Sequence, residues 1–131
     1  MVNLREISIG NIFSLDGNYG AVFALSCDGF VSFQLDNNDE IVETKVDDLN
    51  GVEIDAHLLE ELGAAWDDTF LSWVLNIDDI TIELSLETSN TDGREWGLSI
   101  IDANNETILM ADIQYLHQLQ NHLFNATGVI L

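Results

Sequence analysis

Three histidines, one cysteine and 24 carboxylates are the groups in this chain that could hold a metal or move a proton. His117 and His122 stand close in sequence, with His57 far from both. A helix turns ~100° per residue, so it sets positions 117 and 122 about 140° apart and denies them the i, i+4 spacing that grips zinc. Cys27 is the only thiol, and no metal site is expected. Asp36-Asn37-Asn38-Asp39-Glu40 gathers oxygen ligands in one turn. Ile41 follows where a calcium loop needs glycine for its sharp bend, and the stretch reads as a hairpin turn. Pairs of carboxylates carry no information in a chain this acidic, because any fold would bring some of them together. There is no GxSxG-type elbow and no glycine-rich phosphate loop. No catalytic residue, cofactor or metal ligand is expected, and the chain reads as a non-enzyme.

Charge is the strongest signal. Against the acids stand only Arg5, Lys45 and Arg94, for a net of −21 over 131 residues. Three cations cannot neutralise so many anions, so most carboxylates must face water, where they repel one another. Such a surface should repel nucleic acid and anionic membranes and attract basic proteins. Twelve of the acids, half the total, fall between residues 36 and 68. Asp55 among them reads as a helix cap. The others, Asp36, Asp39, Glu40, Glu43, Asp47, Asp48, Glu53, Glu60, Glu61, Asp67 and Asp68, are candidates for a partner-binding face. Trp66, beside Asp67-Asp68, joins them as an aromatic anchor, although core packing is its plainer role, as it is for Trp73 and Trp96.

The elements that would position these groups make an α+β fold, expected as a single domain over 1–131. Residues 4–46 read as a small curled antiparallel β unit or barrel. Its strands are Ile12 to Leu15, Ala21 to Cys27, Phe30 to Leu35 and Ile41 to Val46. A turn spans Asp16 to Gly20, and Asp28-Gly29 gives a two-residue hairpin signal. Asp55 caps a short helix that Gly63 ends, and Ala64 to Asp68 is a loop. A meander follows, with strands Thr69 to Ile77, Ile80 to Glu87, Glu95 to Ile101 and Thr107 to Met110. Ile80, Ile82, Leu84 and Leu86 alternate with polar residues, the pattern of a strand with one face buried. The last helix runs from an Asp112 cap to Gly128, with Ile113, Leu116, Leu119 and Leu123 on one face and Phe124 and Thr127 widening it. It is expected to pack on the sheet. Its His117, Gln118, Gln120 and Asn121 edge could instead be a recognition surface.

No run approaches the ~18 apolar residues of a membrane span. The N-terminus lacks a basic segment followed by a long apolar one, and the lone cysteine suits a reducing compartment. A cytoplasmic location follows as the expectation, and the sequons at Asn105 and Asn125 are discounted with it.

The final helix, from Tyr115-Leu116-His117-Gln118-Leu119-Gln120-Asn121 through Leu123-Phe124 to Thr127-Gly128, resembles the "YVHQLQNLYFALTG" ending of short uncharacterised proteins of Bacteroidetes phages, prophages and mobile elements. Ile9-Gly10-Asn11 is similar to their "L-x-I-G-N" opening, and Leu58 to Gly63 to their "iLeklGF" middle segment. Those proteins are lysine-rich, whereas Lys45 is the one lysine here. The resemblance implies a phage or mobile-element origin in a bacterial host and brings no assigned activity. The leading expectation is an acidic interaction protein, in its concrete form a DNA mimic that inhibits a basic nucleic-acid-binding host protein without touching nucleic acid itself. The alternative is a structural or assembly module, able to form homo-oligomers, whose acidity serves solubility or salt adaptation.

Overall fold

The computed structural model describes residues 7–26, 28–86 and 95–131. It is an α+β fold with two antiparallel five-stranded sheets. The first holds β1 (Ile12–Leu15), β2 (Asn18–Leu25), β3 (Phe30–Leu35), β4 (Ile41–Lys45) and β5 (Asn50–Gly51), with a 3-10 turn over Val46–Asp48 before β5. Then come α1 (Ala56–Glu61), β6 (Ala65–Asp67), β7 (Ser72–Ile77), β8 (Ile80–Leu86), β9 (Trp96–Ile101), β10 (Thr107–Ile113) and α2 (Leu116–Thr127). The chain divides into two compact units. One takes the described residues up to Glu53 with Tyr115–Asn121, and the other takes those of Ile54–Gln114 with His122–Leu131.

In the first unit the strand order is β4-β3-β2-β1-β5. No pairing of β4 with β5 closes a barrel among the described residues. Asp16-Gly17, at φ +50° and +83°, form a two-residue turn that follows the strand twist. The ladder therefore resumes at Asn18, opposite Leu15, three residues earlier than Ala21. The Asp28-Gly29 connection is wider than two residues. Ser26 N donates to Phe30 O, and the Ser26 hydroxyl donates to Asp28 Oδ1. Phe13, Val22, Val31 and Phe33 project from one face of the sheet into a core shared with Ile7, Val46 and Leu49. Gly20 lies under the Phe33 ring, where a Cβ would come within 2.4 Å of Gln34 O and 2.6 Å of the ring. Only glycine leaves room for that aromatic.

The second unit is a β10-β9-β8-β7-β6 meander. Register puts Leu75, Ile82 and Ile100 in one row and Leu84 and Leu98 in the next, and all five are buried. Asp55 caps α1 by accepting from Leu58 N at 2.8 Å. At the other end Gly63, φ +95°, donates to Glu60 O while Ala64 N reaches Leu59 O. These two bonds satisfy two of the carbonyls that the helix end leaves free. The expected loop at 64–68 contains β6, because Trp66 pairs across to Trp73 and Asp67 to Ser72. Glu87 and the loop from Ser89 to Gly93 lie outside the described residues.

The C-terminal helix starts later than the sequence suggests. Asp112 and Ile113 are not its first turn; they pair with Gly97 and Trp96 in β10. α2 begins at Leu116, and Gln118 Oε1 accepts from Tyr115 N at 3.0 Å, the back-bond of a capping box without its serine. Leu116, Leu119 and Leu123 are buried as expected, whereas Phe124 is exposed.

Candidate interaction surface

Two of the four residues on the polar edge of α2, His117 and Gln120, are buried, and Gln118 and Asn121 are half-buried. His117 is 1% exposed. Its ring lies 4.6 Å from that of Phe13 and stacks at 5.7 Å on Tyr115. Gln120, also buried, accepts from Ile12 N at 3.0 Å through Oε1 and donates to Gly10 O at 3.4 Å through Nε2. Asn11 Nδ2 donates to Asn121 Oδ1 at 2.9 Å. Gln120 completes the backbone of Gly10 and Ile12 beside β1, while Asn121 holds the Asn11 side chain; backbone groups drawn away from water need such partners. Tyr115 covers Gly51, whose Cβ would sit 2.6 Å from the ring. His117 and Gln120 thus serve packing and hydrogen bonding inside the first unit.

The acidic candidates fall on both units. In the first, Asp36, Asp39 and Glu40 occupy the β3–β4 turn, Glu43 lies on β4, Asp47 and Asp48 form the 3-10 turn, and Glu53 pairs backbone with Tyr115 as an isolated bridge. All seven are exposed. In the second, Glu60 and Glu61 stand on α1, Trp66 and Asp67 on β6, and Asp68 in the turn beyond. Glu61 pairs with His57 at 2.9 Å. A surface pair like this stabilises little. The side chains of Asp36, Asp39, Glu43, Asp47, Asp48 and Glu60 make no hydrogen bond or ion pair among the described residues. Lys45 is the one lysine or arginine among the described residues.

Two local arrangements combine acids with apolar surface. The first is an open depression of about 530 Å³ in the first unit. Half-buried Leu15, Leu35 and Val42, which pack on the core, line it together with the carboxylates of Asp16, Glu43 and Asp48. An alkyl chain ending in a cation, such as a lysine or arginine side chain, suits such a lining. The second is the β6–β7 hairpin. Trp66 is 47% exposed, and Phe70 and Leu71, in the connection, are 73% and 65% exposed. The sequence pattern places Phe70 and Leu71 in the strand expected over Thr69 to Ile77, whereas β7 begins at Ser72 and both residues lie in the connection before it. Asp67-Asp68-Thr69, three turn-forming residues in the middle of an apolar run, were the available signal.

Among the described residues no group of three or more His, Cys, Asp or Glu side chains could hold a metal, and no helix is long and apolar enough to cross a membrane. The chain matches no protein-family model, no curated protein and no solved structure.

Proposed function

We propose that this is a non-enzymatic interaction protein whose carboxylate surface engages a basic protein. The observation that carries the reading is the set of exposed carboxylates with no described partner: Asp36, Asp39, Glu43, Asp47 and Asp48 around β4, and Glu60 on α1. Anions left unpaired at this density attract cationic surfaces and steer their approach. The acid-lined depression at Leu15, Leu35 and Val42 supports the same partner chemistry.

The concrete form is a DNA-mimic inhibitor of a basic nucleic-acid-binding protein, in keeping with a phage or mobile-element origin in a bacterial cytoplasm. Glu40 in the β3–β4 turn, Glu43 on β4 and Asp47 in the 3-10 turn beyond it set exposed carboxylates along one edge of the first sheet, with Lys45 between the last two. Spaced carboxylates of this kind would take the place of phosphates in a basic groove. A partner with spaced Lys/Arg contacts fits better than one with a continuous basic track. Competition with duplex DNA for a basic DNA-binding protein tests the reading, with displacement expected at low salt.

An assembly module is the second reading. It is favoured by one observation, the edge strand β10, where Ile108 and Met110 are exposed. It predicts concentration-dependent self-association in sedimentation.

A further inference from the structure

The β6–β7 hairpin concentrates exposed apolar area in a short stretch at the edge of its sheet. Trp66, Phe70 and Leu71 all lie there, and large side chains grouped in this way on a surface mark interaction sites. The tip is also held in shape. Trp66 Nε1 donates to Asp68 Oδ1 at 2.6 Å, and the Trp66 ring meets Trp73 edge-on at 5.7 Å. Asp67 Oδ1 accepts from Thr69 N at 2.8 Å and Phe70 N at 3.4 Å. A side chain and loop fixed before binding lose less entropy on docking. Two unfavourable features sit next to each other at the same place. Leu71 has φ +52°, a conformation that suits glycine rather than leucine. Ser72 is buried and its hydroxyl has no hydrogen-bond partner. Unfavourable backbone and unsatisfied polar groups persist together mainly where a surface has a task.

We infer that this tip is a docking knob for a basic amphipathic helix of the partner protein. The inference rests on the proposed function and supplies its contact point. Such a helix carries an apolar stripe flanked by Lys and Arg. Trp66, Phe70 and Leu71 meet the stripe, and Asp67 and Asp68 meet the flanking cations, giving an apolar centre with a charged rim. A second copy of this chain is the wrong occupant, since it would bring another net −21 against Asp67 and Asp68.

The test titrates the full chain with three synthetic probes: a leucine/lysine amphipathic helix of about 18 residues, a sequence-shuffled isomer without the stripe, and octalysine. Calorimetry gives the affinity and tryptophan emission reports the environment of the tip. The amphipathic peptide is expected to bind at least about 10-fold tighter than its isomer and to shift the emission to the blue. Trp66→Ala and Leu71→Gly should each weaken that peptide about 10-fold and leave octalysine binding unchanged. Leu71→Gly suits the native φ, so its melting temperature should not fall, which separates lost binding from lost fold. Equal affinity for the isomer, or unchanged binding by both variants, overturns the knob while octalysine binding still upholds an acidic interaction surface. Failure of every probe at low salt overturns both. Self-association abolished by Trp66→Ala would make a second copy the occupant and overturn the inference.

Discussion

Gly51→Ala is expected to destabilise the first unit because of one named side chain. The added methyl would lie 2.6 and 2.7 Å from Cδ1 and Cγ of Tyr115, well inside van der Waals contact. That ring stacks on His117 and belongs to the residue from which α2 starts, so its displacement disturbs the helix start. Overpacking of this kind costs about 1–3 kcal/mol. At about 2 kcal/mol and a urea slope of about 1.5 kcal/mol per molar, the unfolding midpoint falls by about 1.3 M. Urea denaturation followed by both circular dichroism and tryptophan emission measures this, and agreement of the two probes checks for a single transition. The cause is separable. Because the obstacle is a side chain, Tyr115→Ala should relieve the cost, with a coupling of about 1 kcal/mol or more in a double-mutant cycle. Gly20→Ala meets the backbone oxygen of Gln34 at 2.4 Å, so Phe33→Leu should not rescue it. A Gly51→Ala midpoint equal to wild type, or a cycle with no coupling, refutes the steric argument.

Three further outcomes follow from the same contacts. Gln120→Leu leaves Ile12 N–H and Gly10 C=O without their side-chain partner; it should cost about 1–3 kcal/mol and accelerate hydrogen exchange at the Ile12 amide, and normal protection there would count against it. Asp55→Ala removes the bond to Leu58 N and should cost about 1 kcal/mol by denaturation, while Asp55→Asn retains most of the cap. With a net charge of −21, the melting temperature should rise as salt increases from about 0.01 to 0.5 M and screens the self-repulsion; a flat or falling response would mean that the carboxylates do not repel one another appreciably.

The parts of the fold legible in the sequence were those set by local chemistry. β1 and β3 appear at the predicted bounds, and β8 begins at Ile80 as its period-two pattern requires. Asp55 and Gly63 announce the ends of α1 because capping depends on residues a few positions apart. The parts that were hidden depend on partners distant in the chain. β6 is three residues long, too short to display alternation, and it is a strand because β7 lies beside it. Asn50 and Gly51 carry no strand pattern of their own, yet they pair with Ser14 and Phe13. Asp112 suits a helix cap, but the ladder with Gly97 claimed it. The alternative reading of α2 as a recognition edge fails at His117 and Gln120, which are buried where the chain around β1 needs hydrogen-bond and ring partners. The exposure of most of the described acids was readable from charge alone. Their division between two units was not, because residues 36–68 cross a unit boundary that composition does not mark.

The central claim is that unpaired carboxylates around β4 bind a basic protein. Its most direct measurement is displacement of duplex DNA from a basic DNA-binding protein, by wild type and by a variant with Asp36, Asp39, Asp47 and Asp48 changed to Asn and Glu43 to Gln. Wild type is expected to displace the duplex at about 50 mM salt and to lose that ability steeply by about 200 mM, and the neutralised variant is expected to displace little. Equal displacement by the two proteins, or none by wild type at low salt, would contradict the claim.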